Sequence, residues 1–204
     1  MTTTTAKRRT DPERAQNRRN QVLQAAAVCF ARSGFHGASM SEISKEAGMS
    51  AGHIYNYFDG KDAIIKAFVD LEMERVTTKL RDLEKRADPL QAMIDDAPIH
   101  VEESLNPQFF QLPLEMFAEA SRNPKIAEAM REIDMAARVV FRPLIKRERE
   151  RRNLAVDDVL LDGRIDTLIS LFHGLPIRAL FRPQLQREGV IEGYRVVLKA
   201  LLMT

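Results

Sequence analysis

The chain has no tryptophan, a single cysteine, and few residues that interrupt helices: nine glycines and nine prolines in 204 residues. Each shortage excludes something. Cys29 alone cannot close an intrachain disulfide. Set among Ala25, Ala26 and Phe30, with no histidine adjoining it, it reads as a core residue rather than a nucleophile. So few turn-formers argue against a strand-rich fold, and no stretch alternates Val, Ile and Thr as a half-buried strand does. No apolar run is long enough to cross a bilayer. The basic start is not followed by the apolar segment of a secretory leader, so a reducing cytoplasm is the expected location. A glycine-rich phosphate loop, a Ser/His/Asp set and a paired-carboxylate motif are all missing, which argues against an enzyme and calls for no cofactor.

What is present is helical periodicity and an uneven charge. Residues 1–35 carry seven basic side chains against two acids, a balance of +5, while the whole chain stands at +2. A polyanion meeting that end accounts for the asymmetry, and a solvated basic tail accounts for it equally well. The expected fold class is all-α, about nine helices: a three-helix N-terminal domain and a larger helical C-terminal one. The spacing predicts a flexible basic arm over 1–12, a small helical domain over 13–61, and a larger helical domain over 62–204. Asp11 and Pro12 open a first helix whose apolar face is Val22, Leu23, Ala26, Ala27 and Phe30, and Gly34 stops it. Lys61 opens a long helix to about 87. Five further helices are expected over 89–105 (disturbed by Pro98), 107–121, 124–152, 157–182 and 190–202.

The stretch 39–58, SMSEISKEAGMSAGHIYNYF, organises the rest. Ser39 has Glu42 three residues on, a capping-box pattern. Ile43 and Ala47 face inward, Gly48 permits a sharp turn, and Ser50 caps a helix carrying Ile54 and Phe58 on its inner side. Such a pair suits a helix-turn-helix, whose second helix needs a small, polar outer face. Ser50, His53, Tyr55, Asn56 and Tyr57 can hydrogen-bond to phosphates or base edges. His53 and Asn56 are the better base readers, and Lys61 is placed to meet a phosphate. On spacing alone, a helical hairpin with a polar surface remains the other reading.

The pattern resembles the N-terminal domain of the TetR family of bacterial transcriptional repressors. The residues that carry the likeness are Phe30, Gly34, Ser39, Ser41, Ile43, Ala47-Gly48, Ser50-Ala51-Gly52, Tyr55, Tyr57-Phe58 and Lys61, over about residues 15–65. The resemblance implies that Ser39, Ser41, Ser50, Ala51, Gly52, His53, Tyr55, Asn56, Tyr57 and Lys61 face DNA. Tyr55 has a second reading, packed against the first helix. Ser44, Ala51, Asn56 and Gly60 depart from the usual pattern, which bears on the operator chosen and not on whether DNA is bound.

The C-terminal part is similar to a large subgroup of the same family's regulatory domains, through 117–124 (FAEASRNP) and 173–178 (HGLPIR). That resemblance implies a homodimer formed by the last two helices and a small-molecule effector. Leu168, Leu171, Leu175 and Phe181, with Tyr194, Val197, Leu198 and Leu201, are the expected interface, although a wholly internal core fits the periodicity equally well. Met93, Phe110, Met116, Phe117, Met130, Phe141, Phe172 and His173 are the expected effector lining, since thioethers and aromatics suit an adaptable apolar cavity, although for any one of them ordinary core packing between helices is the favoured reading. Pro176 is expected to kink its helix by removing one main-chain donor. With no Trp and only Tyr194 after residue 90, an aromatic cage for a quaternary ammonium is poorly supplied. Asp96, His100 and Glu103 have metal-ligand spacing, but Pro98 interrupts their face and no metal is expected. The run 146–152 (KRERERR) reads as a solvated surface that complements a helix end. The resulting expectation is a dimeric repressor of a palindromic operator, released by a small, largely apolar effector. The alternative is a dimeric regulator without such an effector, controlled by a protein partner or by concentration. No membrane partner is expected.

Overall fold

A computed structural model describes residues 12–204. The basic arm with Lys7, Arg8 and Arg9, and the Asp11 cap, lie outside the described residues. Among those described there are ten helices and no strand: α1 (Pro12–Gly37), α2 (Met40–Ala47), α3 (Ala51–Ile54), α4 (Lys61–Glu84), α5 (Pro89–Asp95), α6 (Ala97–Leu105), α7 (Pro107–Ala120), α8 (Pro124–Arg151), α9 (Asp158–Phe181) and α10 (Arg187–Met203). Two compact units divide the chain, one ending at Phe68 and one beginning at Val69, so the chain passes between them within α4.

Several boundaries follow from local chemistry. Gly34 breaks α1 with φ 68° and ψ 167°, a conformation only glycine adopts without strain, and the helical turn beyond it ends at Gly37. Asp88, Asn123 and Asp157 cap α5, α8 and α9 by accepting from Gln91, Lys125 and Leu160 amides. The expected single helix over 89–105 is two helices, which raises nine to ten. Asp96 leaves helical geometry (φ −80°, ψ 1°), ending α5 and starting α6. Pro98 then sits in the first turn of α6, where its missing N–H has no helical partner to lose. Pro113, Pro143 and Pro176 lie inside α7, α8 and α9, and each of these helices runs on past its proline.

The first unit packs Val22, Ala26, Cys29 and Phe30 of α1 with Ile43 of α2, Ile54 of α3 and Ile64 of α4, all nearly inaccessible to solvent. The Phe30 ring meets Phe35 edge-on at 5.3 Å and Phe68 at 6.0 Å. The second unit has one continuous core. It joins Leu90 and Ile94 of α5, Val101 of α6, Leu144 and Ile145 of α8, Ile165 and Leu168 of α9, and Leu198 and Leu202 of α10.

The run 146–152 corrects the sequence reading. Glu148 and Arg149 are buried, 2 % and 3 % exposed. Arg149 reaches the main-chain oxygens of Leu202 (3.0 Å), Ala155 (2.8 Å) and Thr204 (2.7 Å), so it ties α8 to the end of α10. Burial lowers its pKa, with Arg164 adding repulsion. Glu148 receives Arg151 and Arg152, and Arg152 also pairs with the Asp88 cap. An alternating charge pattern carries no mark of which members point inward.

Candidate nucleic-acid interface

α2 and α3 are held from behind and capped at their ends. Ser39 accepts from the Glu42 amide at 3.1 Å, while the Ser39 amide donates to the Glu42 carboxylate at 2.7 Å. That main-chain donor, then the Ser39 hydroxyl, holds the Glu42 carboxyl below its usual pKa. Gly48 ends α2 in the left-handed region (φ 61°, ψ 32°), and its amide and that of Met49 close back onto Lys45 and Ser44. The Ser44 hydroxyl donates to the Met49 carbonyl across the same turn, so one departure from the family pattern is a turn brace. From α1, Gln21 donates to the Ala47 carbonyl at 2.7 Å, and the Arg19 guanidinium lies 4.6 Å above the Phe58 ring. Periodicity gave no sign of either contact, because both residues are polar.

α3 is shorter than the expected 50–58 helix. Ser50 caps it through the His53 amide at 3.3 Å, and regular geometry ends at Ile54. The chain then continues as a tighter turn, with Tyr57 donating to Ile54 at 2.9 Å, and Phe58 anchors it in the core. Ser50, Ala51, Gly52, His53, Tyr55 and Asn56 are all exposed, as are Ser39 and Ser41 on α2. Tyr57 is half-buried, with its ring edge-on to His53 at 5.4 Å. Tyr55 is 52 % exposed and points away from the core, against its packed reading.

Lys61 departs from expectation. Its ammonium donates to the carbonyls of Phe35 (2.8 Å), His36 (3.3 Å) and Ala38 (2.8 Å), and it stands 5.0 Å over the Phe35 ring. A side chain expected to reach for phosphate is engaged with the α1–α2 turn.

In the second unit, the expected interface residues divide. Leu168, Leu175, Tyr194 and Leu198 belong to the protomer's own core, which corrects their placement; Leu171 and Leu201 pack against that core half-buried. Phe181 is 78 % exposed and Val197 is exposed, joined by Ile177, Leu180 and Val196. The wide apolar face of α9 and α10 was legible, but its core-facing side could not be told from its free side.

The expected effector lining divides as well. Phe141 is a core residue, and Met93 and Phe172 pack on the core. Phe110 and Met116 are buried, while Phe117 and Met130 are half-buried. Phe117 and His173 do meet, with rings 5.0 Å apart. His173 is exposed, yet surrounding protein desolvates it enough to lower its pKa. Sequence reasoning missed a neighbouring cluster. His100 bonds the Ser104 hydroxyl at 3.2 Å, lies 4.2 Å from the Phe172 ring and 5.6 Å from that of Tyr194, and is pushed down to about 4 by burial. Tyr194 donates to the Leu171 carbonyl at 2.7 Å. The available signal was a buried serine on the Ala97–Val101–Ser104 face of α6. Asp96 and Glu103 pair elsewhere, with Arg86 and Lys79, and among the described residues no three His, Cys, Asp or Glu side chains gather to hold a metal. A cavity of about 140 Å³ lies apart from these residues, lined by Arg149, Asp157, Leu161 and Arg164. It is small beside the ~300–1,000 Å³ usual for ligand sites. No described helix is long and apolar enough to cross a membrane.

The motif 117–124 has a structural role. Glu119 is 2 % exposed and accepts from the Asn123 side chain at 3.0 Å and from Arg122 at 3.3 Å, while Asn123 caps α8.

Comparison with known proteins agrees with this geometry. The family model for bacterial regulatory proteins of the tetR family matches residues 22–68, which span α2, α3 and the start of α4. The HTH-type transcriptional regulator UidR of Escherichia coli is 25% identical over 190 residues, covering 92% of this chain and 94% of the relative. The solved structure of Salmonella enterica GusR superposes with a TM-score of 0.79 at 24% identity, covering 96% of this chain and 99% of that one. The transcriptional regulator FadR of Bacillus subtilis, solved in complex with stearoyl-CoA, has a TM-score of 0.72 at 17% identity, covering 90% of this chain and 97% of that one.

Proposed function

We propose that this chain is a DNA-binding transcriptional regulator of the TetR family rather than an enzyme, and that it represses transcription as a homodimer, holding a palindromic operator until a small effector enters its second unit. The observation that carries the reading is the outer edge of α3. Ser50, Ala51, Gly52 and His53, with Asn56 in the turn that follows, are exposed together at a helix capped at its start and anchored behind by Ile54 and Phe58. Small residues let the main chain approach a groove wall. His53 and Asn56 then read base edges, while Ser39, Ser41, Ser50, Tyr55 and Tyr57 hold phosphates.

One such head reads too few base pairs to select a site, so a second copy is required. Small residues at successive helical turns support its docking. On α9 these are Gly163, Thr167, Ser170 and Gly174, and on α10 Gly189, Gly193, Val196 and Ala200, all exposed. A Cβ built on any of the four glycines meets nothing within 4 Å in the protomer. Such faces suit close helix packing at about 8 Å, with Phe181 and Val197 at the edges. The effector, small and largely apolar, would lie against Phe117 and Phe172 with the His173 imidazole at its polar edge. FadR, which shares this fold, was solved in complex with stearoyl-CoA, and that supports a small-molecule effector here. The working compartment is the cytoplasm, where operator DNA is found.

Selection of duplexes from a randomised pool tests the reading. The enriched sites should be palindromes with half-sites about 34–36 Å apart, and binding should weaken steeply with salt. Equal affinity for selected and random duplexes would sink it. A thermal-shift screen separates effector control from control by a protein partner, since a ligand for the folded state raises apparent stability.

A further inference from the structure

We propose that Lys61 is a positioning residue that aligns the reading head by fastening the α1–α2 turn, and that it makes no contact with DNA. The proposal rests on the DNA-binding reading above.

The ammonium has three protons and three carbonyl acceptors, at 2.8, 3.3 and 2.8 Å, so its donors are saturated. Those carbonyls belong to Phe35, His36 and Ala38, the stretch that leads from the Gly34 break into the Ser39 cap. Gly34 and Gly37 give this stretch little stiffness of its own. The Ser39 amide, which could have closed one more turn onto Phe35, donates to Glu42 instead. A charged group from the first residue of α4 therefore supplies donors that the helix ends lack. Transfer of the ammonium to a phosphate would give up all three of these charge-assisted hydrogen bonds at once. Ser39 and Ser41 at the start of α2 follow directly from this turn, so their phosphate contacts inherit its alignment.

The test compares the unaltered protein with Lys61→Met and Lys61→Arg on the duplex enriched from a randomised pool, titrated across a salt series. The expected result for Lys61→Met is roughly tenfold or greater weakening with the slope of log affinity against log salt unchanged. A lost phosphate contact would instead lower that slope by about 0.9 for each head. Lys61→Arg should not restore affinity, because a planar guanidinium cannot converge on three carbonyls as a compact ammonium does. A reduced slope or full rescue by arginine overturns the proposal. So does a lowered melting point with unchanged affinity, which would make Lys61 a plain stability cap. If the methionine variant fails to fold, acetylation of the unaltered protein by an N-hydroxysuccinimide ester, read by mass spectrometry, decides. Lys61 should react slowly in the free protein and no more slowly with duplex present; ready reaction, or protection that needs the duplex, overturns the assignment. If no duplex is enriched, the DNA-binding reading fails, and the free-protein reactivity still tests the fastening.

Discussion

Gly48 and Gly52 flank the turn into α3, and the same added methyl group should act on them in opposite ways. Gly48 holds φ 61°, which an L side chain adopts at a cost of about 1–2 kcal/mol, although no atom lies within 4 Å of the new Cβ. Gly52 has neither a positive φ nor a neighbour within 4 Å. Gly48→Ala should therefore lower the melting point, while Gly52→Ala should hold or raise it, by up to about 1 kcal/mol of helix propensity. On the proposed reading of α3 as the DNA-facing helix, Gly52→Ala should nevertheless weaken duplex binding severalfold, because the added methyl group holds the main chain off the groove wall. Paired melting curves and binding titrations separate the two effects. His100 supports a second residue-level expectation. Its folded pKa is lowered from 6.5 to about 4 by burial, with Lys79 and Arg75 adding repulsion and Glu103 opposing. Between those values the unfolded chain binds more protons, so stability is full above pH 6.5 and falls as pH drops through that window. The loss is up to about 3 kcal/mol at 1.36 kcal/mol per unit. Denaturant midpoints from pH 7 to 4.5 should fall less steeply in His100→Gln than in the unaltered protein.

Among the elements, existence and type were largely legible and side-facing was not. Cap-plus-proline starts at 88–89 and 123–124 mark α5 and α8 because the cap chemistry is local, requiring only a short polar side chain and a residue without an amide. The α5–α6 break and the early end of α3 were missed, since both depend on where flanking residues are pinned: Asp96 between Leu90 and Val101, and Tyr55 to Tyr57 between Ile54 and Phe58. The α8–α10 tie is the clearest case of information the sequence pattern does not carry. Arg149 and Arg147 are alike in the KRERERR run, yet Arg149 is buried on three main-chain oxygens while Arg147 is exposed and reaches Glu84 at 3.5 Å. Arg149→Met should cost about 2–4 kcal/mol in chemical denaturation, because it leaves buried acceptors unpaired. Arg147→Met should cost under about 1 kcal/mol.

For the whole molecule, the two small-residue faces make the proposed dimer testable without disturbing the protomer. Gly193→Glu adds an exposed side chain whose Cβ meets nothing within 4 Å in its own chain, so monomer folding should be preserved, while two charges would be forced together at the proposed symmetric contact. Sedimentation should show a monomer, and affinity for the enriched duplex should fall at least a hundredfold through loss of the second head. A dimer that persists would move the interface elsewhere.

The sequence by itself determined the helical class, the position of the DNA-reading motif and most of the caps. These depend on period and on neighbours a few residues away, which the chain displays directly. Only the tertiary structure decided which leucines of α9 and α10 face inward, which members of a charged run are buried, and that Lys61 holds a turn. Each of those depends on what stands across the gap. An apolar stripe or a lone ammonium looks the same in sequence whether its partner is its own core, a second copy or a phosphate.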